Sequence, residues 1–195
     1  MPLPSYDPTL YPAQLAAKAE QFSRSFAPLG VAVPEVFASA PLHYRMRAEF
    51  RIWHQGERLD YAMFDPEDPR QPITLETFPP AAEAICALMP RLRARLAGTP
   101  LLRQRLFQVD FPATASGQML VTLIYHRRLE ADWEATARQL AADLGIGLIG
   151  RSRGQKIVLD RDWLLEEVDV DGRRLRYQQT ENSFTQPNAG INRQM

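Results

Sequence analysis

Four times along the chain, two strand-like runs are separated by a short turn that ends in glycine: Gln55-Gly56, Ala115-Ser116-Gly117, Arg153-Gly154 and Asp171-Gly172. Glycine adopts the positive φ that a tight reversal needs, so each turn predicts an antiparallel hairpin. The paired runs are 43–53 with 58–65, 105–111 with 118–127, 146–152 with 155–160, and 163–170 with 173–179. Asp171-Gly172 is the strongest of the four signals.

The first run shows how such a strand is built. In HYRMRAEFRIW (43–53), Tyr44, Met46, Ala48, Phe50 and Ile52 alternate with Arg45, Arg47, Glu49 and Arg51. A period of two puts the apolar set on one face and a strongly basic set on the other. Between the hairpins lie three helical stretches. Residues 11–26 repeat apolar side chains at 15, 19, 22 and 26; a second helix, roughly 80–97, starts at Pro79-Pro80 and stops at Gly98; a third, 130–144, stops at Gly145. Pro90 lies inside the second span and predicts a kink or two consecutive helices. A loop carries Pro34, and the Pro-rich DPEDPRQP (65–72) leads into a short strand, ITL (73–75). Strands that arrive in adjacent pairs make an α+β fold, a mostly antiparallel sheet with helices packed on one side and no Rossmann domain.

Residues 178–195 read QQTENSFTQPNAGINRQM, polar apart from Phe184. Pro187 suits a first helical turn and Thr185 an N-cap before it. About two turns of helix have little apolar surface to bury, so the segment reads as the opening of something further. Residues from about 181 onward are expected to be the least ordered part of the chain.

Composition narrows the chemistry. Among 195 residues, Lys+Arg and Asp+Glu both number 23, so net charge indicates no partner. Only Lys18 and Lys156 are lysines, which leaves 21 arginines. Arginine suits phosphate and base contacts, and a codon bias gives the same count. Cys86 is the sole cysteine. That excludes an intrachain disulfide, favours a cytoplasmic setting, and in its apolar helical context predicts a buried structural thiol. No apolar run reaches the roughly 18 residues of a membrane span, and MPLPSYDP lacks the form of a signal peptide. His43, His54 and His126 are too scattered to suggest a metal site. No nucleophile elbow, phosphate loop or metalloprotease helix occurs. Glu166 and Glu167 fall on opposite strand faces and read as solvated.

What accumulates instead is basic clusters interleaved with aromatics: Arg45, Arg47 and Arg51; Arg103 and Arg105 before Phe107; His126, Arg127 and Arg128; Arg151, Arg153 and Lys156. Such strand ends suit an RNA backbone with splayed bases, and equally a solvated face balanced by nearby acids. Phe107 alternates with Val109 and Phe111, which also fits a core position.

VPEVF (33–37), HYRMRAEFRIWH (43–54), LFQVDF (106–111), LIYHRRL (123–129) and ENSFTQPNAGINRQM (181–195) resemble the N-terminal half of the bacterial tRNA (uracil-5-)-methyltransferase family. The resemblance implies S-adenosylmethionine-dependent methylation of the T-loop uridine at C5, with the tRNA T-arm as partner. It maps the family's Phe-x-Gln-x-Asn motif onto Phe184, Gln186 and Asn188. Gln186 then belongs to the cofactor site and Phe184 packs at the flipped base. It further implies that Phe107 refills the vacated stack, with Arg51 and His126 on the RNA and Arg45, Arg47 and Arg127 nearby. Residues 1–178 become an RNA-binding domain and 179–195 the junction to a methyltransferase domain. The family's Gly-rich cofactor motif, catalytic cysteine and general-base glutamate have no counterparts here, and Cys86 does not match the nucleophile. No catalytic residue is therefore assigned, and the chain alone is expected to bind tRNA without turnover. A stand-alone RNA-binding module and a non-catalytic interaction protein remain the alternatives.

Overall fold

A computed structural model describes residues 6–65, 67–68 and 70–195. The opening residues, and Pro66 and Pro69 of the Pro-rich loop, lie outside the described residues. Among the described residues, a 3-10 turn (Pro8–Leu10) leads into helix α1 (Tyr11–Phe26), and a second such turn (Ala27–Leu29) opens an irregular return segment to residue 40. Strands β1 (Arg47–Gln55), β2 (Arg58–Phe64) and β3 (Pro72–Leu75) form a meander. Helix α2 (Glu83–Ala97) and the single turn α3 (Pro100–Arg103) precede β4 (Leu106–Pro112) and β5 (Leu120–Tyr125). Helix α4 (Ala131–Leu144) leads to β6 (Gly147–Ser152) and β7 (Gln155–Val158). A two-stranded ribbon, β8 (Trp163–Val170) with β9 (Arg173–Thr180), and a last short turn, α5 (Ala189–Asn192), complete the chain.

All four glycine turns close hairpins, and the sheet order is β3-β2-β1-β4-β5-β6-β7. One pairing is parallel: β5 runs beside β6 because α4 carries the chain back across the sheet. The inner face is apolar. Phe50 packs edge-on against Phe78 and Phe111, and Tyr61 is tilted against it, its hydroxyl donating to Met89 O at 2.9 Å. Ile85, Met89 and Leu92 of α2 and Trp133 and Ala137 of α4 are fully buried in the same core. Each such side chain contributes roughly 1.5–3 kcal/mol by leaving water.

The alternation along β5 and β6 sends Leu120 and Ile149 to the opposite face, where Leu164 of β8 covers them in a second, small core. The ribbon is a separate sheet lying against the face that the helices leave bare. Its anchor is charged: Arg151 donates to both Glu181 oxygens at 2.7 and 2.6 Å, and Lys156 Nζ stands 3.3 Å from Glu181.

Several local expectations are corrected. Helix α2 starts at Glu83 and runs through Pro90 as one helix rather than two, because tertiary burial of Leu88, Met89 and Leu92 outweighs the lost backbone donor. The final helix begins only at Ala189. Its N-cap is Asn188, whose side chain accepts from Ile191 N; Thr185 does not cap it, and Pro187 precedes the cap. Glu166 is buried at 3% exposure rather than solvated, because it accepts from Ala115 N and Gln179 Nε2 beneath the ribbon. The tail is also better tied than its composition suggests. Met46 N donates to Pro187 O at 2.7 Å, Asn188 Nδ2 donates to Ser39 Oγ at 2.6 Å, and Glu181 N donates to Asp162 O.

Candidate nucleic-acid interface

Strict alternation along β4 would place Phe107 beside Val109 and Phe111 in the core. A bulge between Leu106 and Gln108 changes the phase, so Leu106 turns inward and Phe107 is left half-buried at the surface. Arg105, immediately before Leu106, adopts a left-handed φ of 58°, which helps re-aim the strand. Phe107 then lies against His126, ring centroids 3.9 Å apart and 25° from parallel. The Arg51 guanidinium sits 3.9 Å over the other side of the ring. Three residues from β1, β4 and the end of β5 thus form one stacked column: Arg51, Phe107, His126.

The column stands between two open grooves. One, about 670 Å³, runs over His54, Leu101, Arg103, Arg105 and Phe107. The other, about 590 Å³, is bounded by Arg127, Arg128, Arg153 and Gln155, and both include His126. A flat aromatic surface flanked by cations offers stacking to a base and charge to its phosphates.

The predicted basic residues have different occupations. Arg127 is a clamp: its guanidinium donates to Gln104 O, Arg128 O and Leu101 O at 3.0, 3.1 and 2.6 Å, fastening α3 and the β4 entrance below the column. Arg103 donates to Glu57 O. Arg47 bonds Glu49 at 2.8 Å and donates to Ser183 O at 3.0 Å, holding the loop before Phe184. Arg45 donates to Arg47 O, and its backbone bridges Ala81 and Asn188. Arg151 and Lys156 are engaged by Glu181, as above. Phe184 is 83% exposed, and the neighbouring Gln186 is exposed on the same shelf, beside Tyr177, Thr180 and Asn192. The column and this shelf are separate places on the surface, bounded by different residues.

Sequence reasoning missed His54, whose Nε2 lies 2.7 Å from Leu106 O, and the half-buried acid Asp110 beneath the tail. Neither carries a motif. Burial pushes the Asp110 carboxyl up to about 6, aided by Glu49 and Glu181 and opposed by the Gln108 hydrogen bond and Arg47. Glu181 is also desolvated, yet its bonds to Arg151 and Lys156 hold it below the usual glutamate range. Cys86 is half-buried rather than buried, and its Sγ lies 3.1 Å from Phe78 O and 3.3 Å from Ala81 O, the two acceptors open to its single S–H, as suits a structural thiol. Among the described residues, no helix is long and apolar enough to cross a membrane.

The chain is similar to known proteins in sequence and in fold. The chain is 71% identical over 195 residues to a tRNA/tmRNA (uracil-C(5))-methyltransferase of Dechloromonas aromatica, covering 100% of this chain and 54% of that protein. It is 63% identical to the same enzyme of Aromatoleum aromaticum, covering 100% and 53%. The chain thus spans about half the length of the curated relatives it matches. In fold it is similar to the crystal structure of the Pyrococcus abyssi tRNA (uracil-54, C5)-methyltransferase in complex with S-adenosyl-L-homocysteine. The TM-score is 0.64 at 13% identity, over 94% of this chain and 46% of that one. The tRNA (uracil-5-)-methyltransferase profile matches residues 10–195, and the chain belongs to that family.

Proposed function

We propose that this chain is the tRNA-recognition part of an enzyme that methylates the T-loop uridine of tRNA at C5 with S-adenosylmethionine. The observation that carries the reading is the exposed Arg51–Phe107–His126 column. A uridine folded into a loop must leave its stack before C5 is accessible, at a cost of a few kcal/mol. Aromatic stacking worth about 1–3 kcal/mol per base offsets that cost. In this reading the outer face of His126, backed by Phe107, receives a loop base, and Arg51 at the other end of the column meets a phosphate. Arg127 positions the column from below, and Arg45 and Arg47 hold the Phe184 segment at the edge of the RNA.

S-adenosylmethionine, when bound, supplies an electrophilic methyl group. Gln186 offers a carboxamide beside the exposed Phe184 ring, which fits one edge of such a cofactor and no more. The chain therefore contributes binding and orientation. C5 chemistry needs a nucleophile and a base, and Cys86, set against two carbonyls inside the fold, is not that nucleophile. Residues 1–178 serve as the binding domain, 179–195 as the junction, in the cytoplasm. One observation favours a purely structural reading for a single cluster: Arg151 and Lys156 are neutralised by Glu181 and Asp162 together.

Fluorescence anisotropy with a T-arm hairpin tests the proposal. Phe107→Ala and His126→Ala are each expected to weaken binding about 5- to 150-fold, following the stacking energy. A hairpin with a scrambled loop should bind the parent chain no better than the variants. Affinity unchanged by both substitutions would overturn the reading.

A further inference from the structure

Helix α1 is sixteen residues long and none of them is buried. Its apolar side chains nonetheless share a face, and Phe22 and Phe26 pack together with ring centroids 4.4 Å apart. The segment after it returns alongside, since Ser39 N donates to the Tyr11 hydroxyl at 2.7 Å. Helix and return segment form an arm on the sheet domain. Of the fourteen large apolar side chains exposed among the described residues, nine lie between positions 6 and 37. Phe22 is 47% exposed, Val33 88%, Val36 48% and Phe37 47%. Exposed apolar side chains concentrated on one segment in this way mark an interface.

We infer that the arm is the docking surface for the second half of the longer relatives, the chain that follows position 195 in them. Three observations select that occupant. The relatives carry nearly as much chain again beyond the matched half. The last turn of this chain is fastened to the root of the arm, through Asn188 Nδ2 to Ser39 Oγ and the Arg45–Asn188 bridge. Whatever follows therefore emerges beside α1. The size also fits: a globular body of roughly 165 residues is about 40 Å across, and α1 is about 24 Å long. A membrane surface suits the arm less well, because interfacial helices are rich in basic residues, whereas α1 carries Lys18 and Arg24 with Glu20 between them. The inference rests on family membership and not on the RNA-binding reading.

The test is a chimera in which this chain continues, after Met195, into the second half of the Dechloromonas aromatica relative. A photoreactive benzophenone residue replaces Val33. Cross-links are expected within one polypeptide, to peptides beyond position 195. Cross-links joining two chains would identify a second copy as the occupant, and cross-links confined to residues 1–195, or none, would leave the arm free; each overturns the inference. A separate measurement uses Val33→Asp. In the 195-residue chain it should leave Tm unchanged, whereas in the chimera it should lower Tm by about 2 °C or more. Equal effects in both also overturn it. T-arm affinity of the 195-residue chain, measured in parallel, is independent of either outcome.

Discussion

Asp110 faces Glu49 across the β1–β4 pair and accepts from Gln108 Nε2 at 2.7 Å, with Arg47 and Glu181 close by. Desolvation holds its proton to about pH 6, against 3.8 for an unperturbed aspartate. Because the folded state binds this proton more tightly, the contribution to stability is fully present below the unfolded value. It is lost as pH rises through about 6. Asp110→Asn keeps the shape and the acceptor for Gln108 while removing the titration. The stability of the parent relative to the variant should fall by roughly 2–3 kcal/mol between pH 4 and pH 7. Urea midpoints at one-unit pH steps measure this, and a flat difference would show that Asp110 is not held protonated. Glu181 has the opposite sign: its stabilisation is present above the ordinary glutamate range and fades as pH falls below it.

Among the elements, Gly150 decides how α4 sits. A Cβ there would lie 2.6 Å from Trp133 Cζ3 and 2.8 Å from Leu129 Cδ1, so the indole rests on bare β6 backbone. Gly150→Ala should destabilise by at least about 2–3 kcal/mol, as overpacking does, with Trp133 fluorescence following the unfolding. A cost below about 0.5 kcal/mol would mean that the helix seat yields. This contact also marks the limit of what the sequence discloses. Hairpins were legible because each is specified within a dozen residues, by a glycine turn and a period-two pattern. The parallel β5–β6 pairing and the small core of Leu120, Ile149 and Leu164 were not, since they join residues far apart in sequence. For the same reason Glu166 read as solvated: its partner, Ala115 N, is 51 positions away. In the candidate site the residue types were readable but not their geometry. Phe107 fits the core pattern until a one-residue bulge turns it out, and nothing local announces that bulge.

For the molecule as a whole, 23 positive and 23 negative side chains leave no net field to hold RNA, so attraction must come from cations not engaged internally. Arg127, which the sequence groups with the RNA contacts, donates to three carbonyls. Arg51 is exposed and lays its guanidinium on the Phe107 ring. The two should separate in a salt titration of T-arm binding between about 50 and 200 mM KCl. Each phosphate contact contributes up to about 0.9 to the slope of log affinity against log salt, so Arg51→Ala should flatten the slope by nearly that amount. Arg127→Ala should leave the slope unchanged. Instead it should cost about 1 kcal/mol of folding stability, because two exposed carbonyls and one half-buried carbonyl lose a charged donor. If the slope changes in the Arg127 variant and not in the Arg51 variant, the roles given to these arginines are reversed. The column would then be a packing feature, and the clamp the true contact with RNA.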